Sequence, residues 1–259
     1  MSSSRPVPRL ALPGPVEKTL LASTRKSTCI AALIDPDSFS PARASAIAST
    51  SERIGVDTIL IGGSTIGDQN HLDEVVLSVR KHVTIPVILF PGNITGISRH
   101  ANAILFSSLL NSTNTYFIIG AQAIGAFQVH RHSLEAIPMG YLVFGEESTT
   151  SFVGQTRPIP YGKPMIAVMY ALAAQYMGMR ALYLEGGSGT GHPIPPNLAK
   201  SVKEYFGGIL IVGGGITEPK TAADLAAAGA DILVIGNLLE SKDYANKLRA
   251  IVHAVKGKT

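Results

Sequence analysis

The chain has 259 residues, enough for one large barrel or two small domains and for a sizeable buried core. Hydrophobic residues make up 46% and charged ones 15%, which excludes a disordered chain and predicts a compact globular protein. The formal charge of +4 is mildly basic, but Lys and Arg do not cluster as a nucleic-acid footprint requires. The excess is read as a preference for small anionic ligands, with no nucleic-acid partner.

In chain order, MSSSRPVPRLALPGP (1–15) carries prolines and basic residues but no apolar stretch, and predicts a flexible tail rather than a signal peptide. A single domain is expected over 16–259. Eight short apolar runs follow: CIAALID (29–35), DTILIGG (57–63), PVILFPG (86–92), AILFSSL (103–109), MGYLVFG (139–145), RALYLEGG (180–187), ILIVGGG (209–215) and DILVIGN (231–237). Near-continuous apolar runs of this length are strands buried on both faces, as in a parallel sheet. Helical periods lie between them. Ala44, Ile47, Ala48 and Ile54 share a face behind Pro41, and Leu72, Val75, Val76 and Val79 form a stripe with Asp73 and Glu74 in its opening turn. TEPKTAADLAAAGAD predicts an alanine-rich helix stopped by Gly229.

Eight strand–helix units without a linker predict an α/β protein with a single-domain (β/α)8 TIM barrel. A doubly wound open sheet is the alternative, and it leaves the glycine-rich ends of the last two strands unexplained. No run reaches eighteen apolar residues, so nothing is expected to span a bilayer. Cys29 is the only cysteine, which excludes an internal disulfide and fits a core position and a reducing cytoplasm. The long connections 110–138 and 146–164 both follow strands and are expected on the catalytic face.

Strand ends carry the candidate chemistry. In LIDPD, Asp35 ends the first strand and is read as a ligand for Mg²⁺, a hard cation that takes few protein ligands and bridges to phosphate oxygens. Asp37 has an equally ordinary reading as a turn or capping residue. Ser64 or Thr65, after the second strand, offers a hydroxyl to the same metal. His130 and His132 are two residues apart, so they do not share a helix face and are read as solvated. In YLEGGSGTGHP, Glu185 sits at the end of the sixth strand, where a general base belongs, with Tyr183 on the same face. Glycines 186, 187 and 189 with Ser188 form an N–H-rich loop. Gly213, Gly214 and Gly215, with Gly236 and Asn237 at the adjacent strand end, predict a phosphate site of the kind barrels build after strands seven and eight. Tight turns alone would also explain any one of these glycine clusters. An ion pair beneath the loop would also explain Glu185.

LIDPD, LIGGST, ILFPGN, SLLNSTN, IIGAQA, MGYLVF, YLEGGSG, IVGGGI and IGN together resemble the geranylgeranylglyceryl phosphate synthases, and the related heptaprenylglyceryl phosphate synthases, over nearly all of the chain after residue 25. The resemblance implies a prenyltransferase in which the 3-hydroxyl of sn-glycerol 1-phosphate attacks geranylgeranyl diphosphate and releases diphosphate. It implies that Asp35 and Ser64 hold Mg²⁺. Tyr183, Leu184, Glu185, Gly186, Gly187, Ser188 and Gly189, with Gly213–Gly215 and Gly236–Asn237, would bind glycerol phosphate, and Glu185 would deprotonate its hydroxyl. Tyr141 and the long connections are expected to wall an apolar groove for the prenyl tail. Family members of one kind carry a lysine two positions before the metal aspartate, where Leu33 stands here; the LNSTN and FPGN forms resemble a branch that is often multimeric, as a dimer or hexamer. The protein is expected to touch a membrane at most peripherally. Another phosphate-binding barrel enzyme, such as a sugar-phosphate isomerase, would leave Asp35 and Ser64 without a task. A non-catalytic phosphate- or RNA-binding regulator would not need Glu185.

Overall fold

The computed structural model describes residues 12–63, 67–145, 148–187 and 192–257. The eight apolar runs form eight parallel strands: β1 (Cys29–Ile34), β2 (Thr58–Ile61), β3 (Val87–Leu89), β4 (Ala103–Leu109), β5 (Glu135–Val143), β6 (Ala181–Glu185), β7 (Ile209–Gly213) and β8 (Ile232–Ile235). Each pairs with the next and β8 returns to β1, closing the expected barrel. Along β1, Cys29 and Ala31 face the barrel interior while Ile30, Ala32 and Ile34 pack under the helices. Both faces are dry, which is why the runs are apolar throughout and do not alternate.

The helices are α1 (Pro15–Thr24), α2 (Pro41–Ile54), α3 (Gln69–His82), α4 (Ala121–Arg131), α5 (Thr149–Gly154), α6 (Pro164–Tyr176), α7 (Pro196–Lys203), α8 (Pro219–Ala227) and α9 (Tyr244–Lys256). The Ser40 hydroxyl caps α2 by accepting from Arg43 N–H, with Pro41 in the first turn. Leu72, Val75, Val76 and Val79 are the fully buried stripe of α3, which begins behind the Asp68 cap, earlier than Asp73. Gly229, at φ +96°, takes the left-handed conformation beyond α8.

Residues 1–11 of the expected tail lie outside the described residues. From Pro15 the chain closes the lower end of the barrel. Leu20 enters the interior cluster, buried Glu17 pairs with Arg180 at 2.7 Å, and the Glu135 carboxylate accepts from Val16 and Glu17 N–H at 2.8 Å each. That carboxylate at the start of α1 satisfies orphan donors and complements the helix dipole.

Two expectations need correction. The chain does not carry eight regular strand–helix units: β3 and β4 are joined through a 3-10 turn, Ile94–Gly96, with no α-helix between them. Pro91, Gly92 and Gly96 break any helical run there. Residues 110–138 are not a long loop either. A π-turn at Tyr116–Gly120 runs into α4, and β5 starts at Glu135, four residues ahead of Met139. YFIIGAQAIGAF is apolar on every side and shows no stripe, which hid the helix.

Candidate active site

Parallel pairing places every strand's C-terminal end at one mouth, and β6 delivers Glu185 there. Only 6% of this residue is exposed. One carboxylate oxygen accepts from Tyr141 Oη at 3.0 Å, the other from Gly187 N–H at 2.8 Å, and Tyr183 adds a further side-chain hydrogen bond. Burial pushes the carboxyl's pKa above the ordinary value; the donors from Tyr141, Gly187 and Tyr183 pull against it. A carboxylate so placed has raised proton affinity and a fixed orientation, the properties general-base chemistry calls for.

Aromatic rings form the floor under it. Tyr183 stacks at a tilt on Tyr141 (4.9 Å between centroids) and on Phe90 (5.0 Å), and Phe90 meets Tyr141 edge-on at 5.7 Å. This floor also explains part of the glycine signature. A Cβ on Gly213 would overlap the Tyr183 hydroxyl, and one on Gly214 would overlap Glu185 Oε1. Gly214 also has φ +85°, a left-handed conformation. The triple glycine therefore makes room for the base and its tyrosine as well as for any ligand.

Asp35 stands just past β1 on the same mouth. Its carboxylate accepts from Asp37 N–H at 2.9 Å and lies close under Gly63, where a Cβ would come within 2.6 Å of it. Burial raises its pKa, the Asp37 amide opposes this, and the charges of Asp37 and Glu240 add to the rise. Among the described residues no lysine, arginine or histidine pairs with it. A half-buried carboxylate oxygen is a donor of the kind a hard divalent cation takes. Among the described residues no three or more His, Cys, Asp or Glu are placed to hold a metal ion together.

A single cavity of about 350 Å³ joins the two halves, with Asp35, Glu185, Gly236, Asn237 and Glu240 among its lining. From the mouth it runs over β3 and β4, where the missing helix would lie, between Phe90, Ile97, Phe106 and Phe117. Gln122 supports this wall by donating to the carbonyls of Ser107 (2.6 Å) and Phe117 (3.1 Å), while the Ser108 hydroxyl donates to Ile118 O at 2.7 Å. These bonds hold the π-turn that aims Phe117 inward, in keeping with the frequency of such turns at functional sites.

The structure thus brings together Asp35, Tyr141, Tyr183, Glu185, Gly186, Gly187, Gly213–Gly215, Gly236 and Asn237. Tyr141 lines the cavity as expected, but its hydroxyl is also a direct partner of Glu185. The Leu184 side chain packs in the layer between sheet and helices and does not face the mouth. Asp37 is an exposed turn residue, and the cap of α2 is Ser40. Asn237 opens only a four-residue 3-10 turn, so the dipole expected there is that of one turn, and N–H groups carry the anion argument. Ser64, Thr65, Ser188 and Gly189 lie outside the described residues. Sequence reasoning did not single out Asn111, Tyr161, Gln122 or Glu240. Of these Asn111 left a signal as part of LNSTN and Gln122 as part of IIGAQA. The Asn111 side chain, 3% exposed, bonds to Val143 N–H and to the carbonyls of Val143 and Arg157, tying β4 to β5 and to the following connection.

The fold and the mouth are those of a TIM-barrel enzyme with a buried carboxylate lining its cavity. Residues 24–255 match the model of the PcrB family, and the chain belongs to that family. It is 47% identical over 245 residues to the geranylgeranylglyceryl phosphate synthase of Cenarchaeum symbiosum, covering 94% of this chain and 99% of that protein. The Thermococcus kodakarensis protein of the same name is 50% identical over 217 residues, covering 84% and 86%. A crystal structure of (S)-3-O-geranylgeranylglyceryl phosphate synthase from Thermoplasma acidophilum, in complex with its substrate sn-glycerol-1-phosphate, superposes with a TM-score of 0.91 at 38% identity, covering 95% of this chain and all of that one.

Replacing Tyr141 with Phe removes a donor that holds the Glu185 carboxyl's pKa down. Burial then meets less opposition, and the carboxyl titrates at higher pH than in the wild type. Infrared spectra of the carboxyl band across a pH series, referenced to Glu185→Gln, check this; an unmoved midpoint would contradict it.

Proposed function

We propose that the chain transfers a geranylgeranyl group from its diphosphate to the 3-hydroxyl of sn-glycerol 1-phosphate, a step of ether-lipid synthesis. Family membership and the names and ligand of its relatives support this reading. The observation that carries it is the position of Glu185, which lines one cavity together with Asp35, Gly236 and Asn237 while Gly214 packs against its carboxylate. The acceptor's phosphate lies against the glycine-rich ends of β7 and β8 with its 3-hydroxyl turned to Glu185. That oxygen attacks the first carbon of the prenyl chain, the bond from this carbon to diphosphate breaks, and the hydroxyl proton passes to the Glu185 carboxylate. Tyr141, Tyr183 and Gly187 keep the carboxylate aimed during the transfer. The prenyl tail lies in the apolar groove over β3 and β4, where burying methylenes is favourable by about 0.8 kcal/mol each.

Mg²⁺ is the cation these oxygen donors fit, and Asp35 would hold it, with the Ser64 hydroxyl as the second ligand expected from the resemblance. When bound it stabilises charge on the departing diphosphate.

Self-association is part of the proposal. α6 is apolar on both faces: Ala167, Val168, Ala171 and Ala174 are buried, while Met165, Ile166, Met169 and Tyr176 stay exposed, as do Phe127 on α4 and Phe152 on α5. A helix apolar all round is one whose outer face is also covered, and a second copy of the chain is the occupant proposed. No helix among the described residues is long and apolar enough to cross a membrane. With the lone buried Cys29, this supports a cytoplasmic enzyme that meets its prenyl substrate at a membrane surface at most peripherally.

Glu185→Gln is expected to keep the fold and lower turnover by roughly 10²-fold or more, the scale of a lost general base. An assay with sn-glycerol 1-phosphate and radiolabelled geranylgeranyl diphosphate, run with and without chelator, measures this; wild-type turnover in the variant would remove Glu185 from the mechanism, and activity indifferent to chelator would remove the metal. Sedimentation of the native chain is expected to give a mass of two or more protomers; a monomer at micromolar concentration would contradict the assembly.

A further inference from the structure

The connection from β5 to α6 ends in PIPYGKP, a stretch that the reaction as described does not use. It is a rigid platform. Ile159 pairs with Phe144, exchanging bonds with Val143 O and Gly145 N–H at 3.0 Å each, and Arg157 N–H donates to Asn111 O at 2.8 Å. Tyr161 projects from this platform toward the loop after β6. Its hydroxyl lies 3.0 Å from Gly186 O and 3.0 Å from His192 O, so one phenolic proton is shared between the two ends of the same glycine-rich loop. Room for the ring comes from Gly145, where a Cβ would stand 2.7 Å from the Tyr161 hydroxyl.

The loop ends held in this way lean in turn on the β7 turn. Gly186 N–H donates to Gly213 O at 3.0 Å, and a Cβ on Gly186 would meet His192 O at 2.9 Å and Gly214 O at 3.3 Å. A Cβ on Gly215 would meet Pro193 N at 3.1 Å. The ends of the β6 loop and the β7 turn are therefore stacked without side chains between them. Tyr161 links this stack to the fixed β5 platform. Glu185 is held from outside this loop by Tyr141 and Tyr183 and from within it by Gly187 N–H.

We propose that Tyr161 is a positioning residue for acceptor recognition: its hydroxyl sets the spacing of the Gly186 and His192 backbones packed against the β7 turn, which receives the phosphate of sn-glycerol 1-phosphate. This rests on the functional reading above. Because Tyr141 and Tyr183 hold the base from outside the loop, the residue acts chiefly on acceptor affinity.

Tyr161→Phe in the full chain tests it, with calorimetric titration by sn-glycerol 1-phosphate, steady-state kinetics in both substrates and amide hydrogen exchange. The expected result is a rise of about tenfold in Kd and KM for glycerol phosphate, on the scale of one lost hydrogen bond. Turnover and the KM for the prenyl diphosphate stay within about twofold, and amides flanking Gly186 and His192 exchange faster. Unchanged acceptor affinity, or equal losses for both substrates, would overturn the proposal. Failure of the wild-type chain to bind sn-glycerol 1-phosphate would instead sink the functional reading on which it stands.

Discussion

Keeping a carboxylate out of water at the end of a barrel strand is the constraint on which the rest of this molecule depends. A buried charge without partners is costly enough that the group would simply take up a proton. Donors from separate places oppose this at Glu185: a tyrosine on β5, a tyrosine on its own strand and a backbone N–H in the loop beyond. Each donor needs space. The room for Tyr183 is the absent side chain of Gly213, and the room for the carboxylate itself is that of Gly214. YLEGG and IVGGG are thus two halves of one packing unit, although more than twenty residues separate them.

The second determinant is an omission. Where a regular barrel would lay a helix between β3 and β4, this chain has a single 3-10 turn, and the space becomes an apolar trough continuous with the mouth. The trough is dry-walled, with Ile97, Phe106 and Phe117 along it, while the mouth is ringed by carboxylates and N–H groups. A substrate with a charged head and a long hydrocarbon tail matches that gradient from polar to apolar. At the other end of the barrel, α1 and its Glu17–Arg180 pair close the interior, so the mouth is the open end.

Much of this was legible in the residues. Seven of the eight strands lie within runs whose burial on both faces makes them apolar, β5 starting ahead of its run, and α2, α3 and α8 follow their stripes. Asp35, Glu185 and the late glycines were found because strand ends punctuated by polar residues are conspicuous. The π-turn and α4 were not legible, since an apolar face on every side has no period to read. The absent third helix was written in Pro91, Gly92 and Gly96 but was masked by the expectation of a regular repeat. Asn111 and Tyr161 escaped for a different reason. Their roles come from carbonyls in distant parts of the chain, and nothing local distinguishes a tyrosine that bridges two loops from one that fills a gap.

The most direct test is a crystal structure of the full chain with sn-glycerol 1-phosphate, Mg²⁺ and a non-reactive thio-analogue of geranylgeranyl diphosphate. This mechanism predicts the acceptor's 3-hydroxyl at about 2.6–3.2 Å from the Glu185 carboxylate, with the diphosphate beside Asp35 and the tail along Ile97 and Phe117. A diphosphate bound away from Asp35, or a hydroxyl turned from Glu185, would contradict it.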